Sequence, residues 1–432
     1  MSYNIEENKV QINETEKRNL DWLWIVPLFL FSINLYNKEI YIVIAMIILG
    51  MLISVYKKTT FRLTADMILI SLFSISYILI FRIYNTIDLI VLLLYVVEPI
   101  GCFFIGYLIF KKEAQLIYKT IITIVLGNML YGSINMLLYF KTFGANTYER
   151  RVPDIWTDIG MAATLQGTHF TPVASLLFFS FILWINRKYK VLSFILFFGA
   201  IFSLVSSVVL GNRTLIIITL LTLFSNIILY SMLVKKKQSS ILKSIFLAAS
   251  FFILIWVVYS YNLFGISDFI LDSQFYVRMN EQGSMLDDPR MLVYSNALVE
   301  LFNYPLGGYK LDLGGLSYAH NLWIDVLYVA GIIPFIFLGL YTLKSIINLG
   351  FIIRSDRVNV EFKVLIFSIY IGYLLNFMVE PILEGVPFMF ISFCLINGLV
   401  RKYLDYLKKH KVIKQSLEVS NERSMVNQCS ST

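Results

Sequence analysis

Long apolar runs separated by short polar stretches dominate the chain, and that alternation predicts its architecture. Runs of membrane-spanning length begin near Leu20, Ile40, Ala65, Ile87, Ala114, Thr168, Val191, Thr214, Ile241, Asn321, Phe362 and Val386. Each approaches about 20 residues, the length at which a helix crosses the hydrocarbon of a bilayer. The pattern predicts an all-α polytopic membrane protein of about twelve helices. Residues 1–19 and 401–432 read as cytoplasmic tails, and 20–400 as one transmembrane domain. The run 321–353 is long enough to tilt or to continue past the membrane. Two connections exceed ordinary loop length, 141–167 and 264–319. The second joins helices 9 and 10. It contains an amphipathic stretch, 290–302, with Met291, Tyr294, Leu298, Leu301 and Phe302 at helical spacing, predicted to fold onto the membrane surface.

Composition agrees with membrane insertion: 58% of the 432 residues are hydrophobic and 15% charged, too oily for a water-soluble domain of this size. The net charge of +8 raises nucleic acid as a partner, but the positions of the charges exclude it. Alternate connections are basic, carrying Lys57, Lys58 and Arg62; Lys111 and Lys112; Arg187, Lys188 and Lys190; Lys235, Lys236 and Lys237; and Arg354, Arg357 and Lys363. The others carry Asp154, Asp158, Asp268, Asp272, Glu281, Asp287, Asp288, Glu380 and Glu384. Basic loops are retained in the cytoplasm, so both termini are predicted inside and the 264–319 loop outside.

Glu6, Glu7, Glu14 and Glu16 precede the first apolar run, which is not the start of a cleaved signal peptide. The stretch after Ser416 reads as disordered, and the basic residues before it, Arg401 to Lys411, would lie along the anionic inner leaflet. Cys102 and Cys394 fall in apolar runs and Cys429 in the tail, so no disulfide is expected in the outer loops. His169, His320 and His410 are too scattered for a histidine metal site, and no metal or cofactor is expected.

Candidate chemistry collects at a few polar points. Gly211-Asn212-Arg213-Thr214 forms a turn between two apolar runs. A buried arginine on a helix costs about 2.5–3.5 kcal/mol on insertion scales, so Arg213 either faces a polar cavity or an anion, or snorkels to the interface. Arg290 opens the amphipathic stretch, and Tyr304-Pro305-Leu306-Gly307-Gly308-Tyr309 follows it. Pro and paired glycines predict a tight turn with exposed amides, and guanidinium plus free donors suits a pyrophosphate. The alternative is pairing of Arg290 with Asp287 or Asp288. His320, where the long loop meets helix 10, can accept a proton near neutral pH or serve a structural role. Asp325 lies about 140° around a helix from His320, so helical geometry does not make it the imidazole's partner. His169, Arg150, Arg151, Glu380, Glu384 and the intramembrane Glu98 are lesser candidates, Glu98 being read as a buried structural group.

In their order these segments resemble the O-antigen polymerase and O-antigen ligase superfamily of bacterial envelope glycosyltransferases. The resemblance is carried by Gly211-Asn212-Arg213-Thr214, by Arg290 with Pro305-Leu306-Gly307-Gly308-Tyr309, and by His320-Asn321 with Gly331. A weaker match is Gly167-Thr168-His169-Phe170-Thr171-Pro172, which lacks the family's Asn around the Pro.

The resemblance implies a GT-C-like fold and a metal-independent, inverting transfer of a glycan from undecaprenyl pyrophosphate to an acceptor hydroxyl outside the bacterial cytoplasmic membrane. Arg213 and Arg290, with Arg278 as a further cation, would clamp the pyrophosphate. His320 would activate the acceptor, with Asn321, Tyr309 and His169 auxiliary. The implied partners are the lipid-linked glycan as donor and acceptor, membrane lipids and a chain-length regulator. Polymerase is the preferred activity, and ligation to lipid A core the alternative within the family. A cell-shape or division glycosyltransferase is another enzyme alternative, although its expected loop acid is not found. From other classes, a lipid-linked oligosaccharide flippase is weakened by the absence of an internal repeat, and a non-catalytic scaffold leaves the Arg, Arg and His series unexplained.

Overall fold

The computed structural model describes residues 14–56, 62–109, 114–144, 149–187, 189–234, 257, 260–262, 265–281 and 289–429, with side chains omitted at some of these. Most of the described chain is helical. The helices are α1 (Glu14–Ser32), α2 (Glu39–Tyr56), α3 (Ala65–Tyr84), α4 (Leu89–Leu92), α5 (Glu98–Ile109), α6 (Ala114–Phe143), α7 (Ala163–Ser175), α8 (Leu177–Ile185), α9 (Lys190–Leu210) and α10 (Arg213–Leu233). They continue as α11 (Ile266–Leu271), α12 (Gln274–Glu281), α13 (Pro289–Glu300), α14 (Leu322–Ala330), α15 (Ile332–Arg354), α16 (Val360–Phe377), α17 (Ile382–Gly385) and α18 (Pro387–Cys429). A π-helical turn, Leu93–Val97, joins α4 to α5.

Among the described residues eight spans are long and apolar enough to cross a membrane, with α4–α5 and α7–α8 each counting as one. The protein is therefore an α-helical, multi-pass membrane protein. Leu23–Ser32 and Glu39–Val55 are shorter apolar helices. The predicted ninth helix, near Ile241, lies outside the described residues, as do Lys235, Lys236, Lys237, Asp287 and Asp288. Asn and Thr at the polar boundaries start the helices: Thr64, Asn212, Asn321 and Asn359 each accept a hydrogen bond from an amide of the first turn.

Polar contacts sort the helix ends into two groups. At one end Asp66 lies 3.5 Å from Arg401 and accepts from Asn348 at 2.6 Å, and Asn186 donates to Glu361 at 2.7 Å. At the other end are the 151–162 segment, the loop before α14 and the turn after α16. These two are called below the Arg401 end and the His320 end.

Helix α5 crosses α18 in close contact. A Cβ on Gly106 would stand 2.2 Å from the Leu395 carbonyl, and one on Gly398 would stand 2.1 Å from that of Phe103. Small residues on both helices let the backbones touch, the usual way to gain packing where lipid supplies no hydrophobic drive. Leu79, Val191, Phe224 and Met232 stay exposed on the outside of the bundle, as lipid-facing residues do.

Three elements differ from expectation. Residues 151–162 form a hairpin, β1 (Arg151–Asp154) and β2 (Thr157–Ala162), antiparallel with Arg151 opposite Ala162. Asp154 closes its turn by accepting from the Trp156 amide and the Thr157 hydroxyl. The span predicted from Thr168 begins at Ala163, because Ala163, Thr164, Leu165 and Gln166 contain no helix breaker and continue the helix toward its N-terminus. The stretch after Ser416, expected to be disordered, continues α18 to Cys429; it contains neither Pro nor Gly to stop a helix.

Candidate functional site

His320 sits in the left-handed region at φ 51°, a conformation costing a non-glycine residue about 1–3 kcal/mol unless its surroundings impose it. Asp325 imposes it. This buried carboxylate accepts from the Ala319 amide at 2.6 Å and the Asn321 amide at 3.4 Å, gripping the chain on both sides of His320. Its role is through the backbone, which a helical wheel drawn through position 320 does not reveal, since the helix starts only at Leu322. Asn321 caps α14 through the Trp323 and Ile324 amides, and its Nδ2 donates to the Met378 carbonyl at 3.2 Å. Tyr294, one turn beyond Arg290 on α13, donates its hydroxyl toward the same carbonyl at 3.1 Å, with the His320 carbonyl at 3.4 Å. Helix α13, His320 and the turn after α16 thus form one bonded unit.

Arg290, the second residue of α13, acts on that turn electrostatically. Burial pushes the Glu380 carboxyl up to about 7, and the Arg290 guanidinium draws it back down. Val293 and Ala297 form the buried face of α13, packed with Leu311, Leu313 and Ala319 of the following loop. Met291, Leu298 and Phe302, three of the residues at helical spacing in the sequence, are exposed.

The glycine turn corrects one expectation. Its amides are not exposed donors: Gly307 donates to Tyr304, Gly308 to Val329 and Tyr309 to Tyr328, each at 3.0 Å. The reason lies at Gly331, φ 74°, where the predicted tenth helix breaks into α14 and α15. A break strands helix carbonyls, and the glycine turn satisfies two of them, while the Ile332 amide donates to Pro305 at 2.8 Å. A Cβ on Gly307 would stand 2.6 Å from the Gly331 nitrogen, and one on Gly331 would stand 2.2 Å from the Pro305 carbonyl. Two segments that carry the family resemblance are therefore two halves of one junction.

The other two also meet. Asn212 caps α10 at Leu215 and donates its Nδ2 to the Ala163 carbonyl at 3.2 Å, passing over Gly167, where a Cβ would stand 1.8 Å from that nitrogen. The Gly167 to Pro172 segment, expected as a turn opening a helix, is helical interior. This contact fixes Arg213 as the first residue of α10, partly buried. Farther along α7, Thr171 accepts from Asn376 of α16 at 2.7 Å. Eight residues separate Ala163 from Thr171, about 12 Å along the helix. Arg213 and the His320 unit are thus linked through α7, at different depths.

Tyr309 is half-exposed, its ring edge-on to Tyr328 at 5.1 Å, and burial followed by Glu384 raises its phenol. Arg278 falls on α12, which packs against α9, the helix ending at Leu210; its side chain lies outside the described residues. His169 is buried in α7, with Nδ1 3.1 Å from Asn128 Oδ1 and its ring stacked on Phe388 at 4.4 Å. It lines a cavity of about 120 Å³ under the hairpin, together with Asn34, Asn37, Glu39, Tyr131 and Asp154. Glu98, behind the π turn, is fully buried, and neither carboxyl oxygen has a hydrogen-bond partner among the described residues. The backbone grip of Asp325 and the cavity were not foreseen; the excess of acids over lysines in the outer connections was their one trace in the sequence.

These features define a multi-pass α-helical membrane protein. No family model matches the chain, and no curated protein matches it.

Proposed function

We propose that this chain polymerises lipid-linked polysaccharide repeat units, transferring a glycan from undecaprenyl pyrophosphate to a sugar hydroxyl on the outer side of the bacterial cytoplasmic membrane. In this reading the fold has about twelve spans, both termini are cytoplasmic and the His320 end faces outward. One observation carries the proposal: Arg213 and Arg290 both occupy the first turn of a helix at that end. The helix dipole disfavours a cation there and favours an anion, so a bound oxyanion would offset the unfavourable placement of both arginines.

His320 takes the proton of the acceptor hydroxyl as its oxygen bonds to the anomeric carbon. The bond from that carbon to the pyrophosphate oxygen breaks, and the charge left on the pyrophosphate is held by the arginines, with Arg278 a further cation. The pinned backbone around His320 presets the imidazole. Asn321 and Tyr309 shape the site, and the exposed apolar face of α13 rests on the membrane surface. No metal or nucleotide enters the scheme.

Arg213→Ala, Arg290→Ala and His320→Ala each lower polymer formation by about 100 to 1,000-fold while the protein still reaches the membrane. Normal polymer from all three would refute the assignment.

A second reading, a lipid-linked oligosaccharide flippase, is favoured by the discontinuous helix α14–α15, a device that transporters use at their binding sites. A flippase would move substrate across vesicles and leave its length unchanged.

A further inference from the structure

The transfer scheme makes no use of the cavity under the hairpin. At about 120 Å³ it is small, room for roughly four waters. Segments far apart in the chain build it: the turn before α2 with Asn34 and Asn37, Glu39 opening α2, Tyr131 of α6, Asp154 of the hairpin and His169 of α7.

The hydrogen-bond inventory of its walls is one-sided. Asp154 is saturated, accepting from Asn37 Nδ2 at 3.0 Å, the Tyr131 hydroxyl at 3.1 Å, the Trp156 amide at 2.9 Å and the Thr157 hydroxyl at 3.1 Å. Glu39 Oε2 and Asn34 Oδ1, by contrast, are buried with no hydrogen-bond partner among the described residues. His169 adds a third acceptor, facing the cavity. Asn128 Nδ2 is committed to the Ile124 carbonyl at 2.9 Å, which turns Asn128 Oδ1 toward the imidazole as an acceptor. The His169 proton is therefore on Nδ1, and Nε2 is left as an acceptor with no partner among the described residues.

The two buried acceptors, Glu39 Oε2 and Asn34 Oδ1, cost about 1–3 kcal/mol each unless a donor arrives. Among the described residues no lysine or arginine lines the cavity to supply one. The remaining lining is apolar, with Met161, Leu165, Val386 and the Phe388 ring. Among the described residues no group of three or more His, Cys, Asp or Glu is placed to hold a metal ion. Hydroxyl donors on one edge and C–H groups on the face are the chemistry of a sugar ring, which matches both halves of this lining.

We infer that this cavity binds the hydroxyl-bearing edge of one sugar ring, with Glu39, Asn34 and His169 accepting its hydroxyl protons. The inference rests on the glycosyl-transfer reading for the origin of that sugar in the lipid-linked glycan. The binding itself stands on the cavity's own groups.

Saturation-transfer NMR on the full chain in detergent tests it, with glucose, galactose, rhamnose, N-acetylglucosamine and N-acetylgalactosamine as probes. At least one sugar gives a saturable signal. Glu39→Gln, which keeps the shape and removes the charge, weakens it at least tenfold, and Met161→Trp, which fills the cavity, removes it. Both variants must keep the wild-type melting temperature to count. Three results would overturn the inference: no signal from any sugar, signal unchanged in both variants, or displacement of the sugar by millimolar ammonium, sodium or calcium chloride. The last identifies a small-cation site. Sugar binding without extension of lipid-linked units leaves the cavity's role standing and removes the polymerase reading; extension without sugar binding does the reverse.

Discussion

Two regions at the His320 end treat hydrogen bonding in opposite ways. In the junction between the glycine turn and the broken helix, the Gly307, Gly308, Tyr309 and Ile332 amides all have a backbone acceptor. In the cavity under the hairpin, three acceptor atoms of Asn34, Glu39 and His169 have no donor among the described residues. Saturated backbone makes a rigid frame, whereas polar atoms left open in a cavity wall are completed by water or by a ligand. A glycine-rich string therefore does not by itself signal an anion cradle; here its amides are consumed by the neighbouring helix break.

The largest expected effect sharpens the rigid side. Gly331→Ala puts a Cβ against the Pro305 carbonyl at a left-handed φ, and should cost about 3–5 kcal/mol, seen as loss of folded protein in detergent. Gly339→Ala, with nothing within 4 Å of the new Cβ and an ordinary helical backbone, should be neutral or gain about 0.5–1 kcal/mol. Equal behaviour of the two would break the contrast.

Next comes Glu380. Its folded carboxyl titrates near 7, above its ordinary value of 4.5, so the neutral form favours folding. That contribution is complete below pH 4.5 and is lost as pH rises through 7, a change on the order of 3 kcal/mol. Melting curves of the wild type should fall over this window, and those of Glu380→Gln should be flatter; parallel curves would remove Glu380 as the titrating group. Asp325→Asn faces an amide proton with an NH2 group and loses a charged acceptor, a loss of about 2 kcal/mol with slower turnover at unchanged substrate affinity. Smallest is Asn212→Ala, about 1 kcal/mol from the lost cap, measured as a shift in melting temperature.

Much of the helical frame was legible, because hydrophobic length alone marks starts such as Ala65, Ala114 and Phe362 to within a few residues. The break at Gly331 was not, since apolar residues continue on both sides of it and only the docked glycine turn explains it. The grip of Asp325 escaped because residues 319 to 321 precede the helix rather than extend it. The cavity escaped for another reason: Asn34, Glu39, Asp154 and His169 come from four separate elements, and no local spacing joins them.

The most direct test of the central claim supplies purified protein in detergent with lipid-linked repeat units and nothing else. A ladder of longer lipid-linked glycans is expected, reduced by about 100 to 1,000-fold in His320→Ala. Repeat units that stay at their starting length with folded wild-type protein would contradict it.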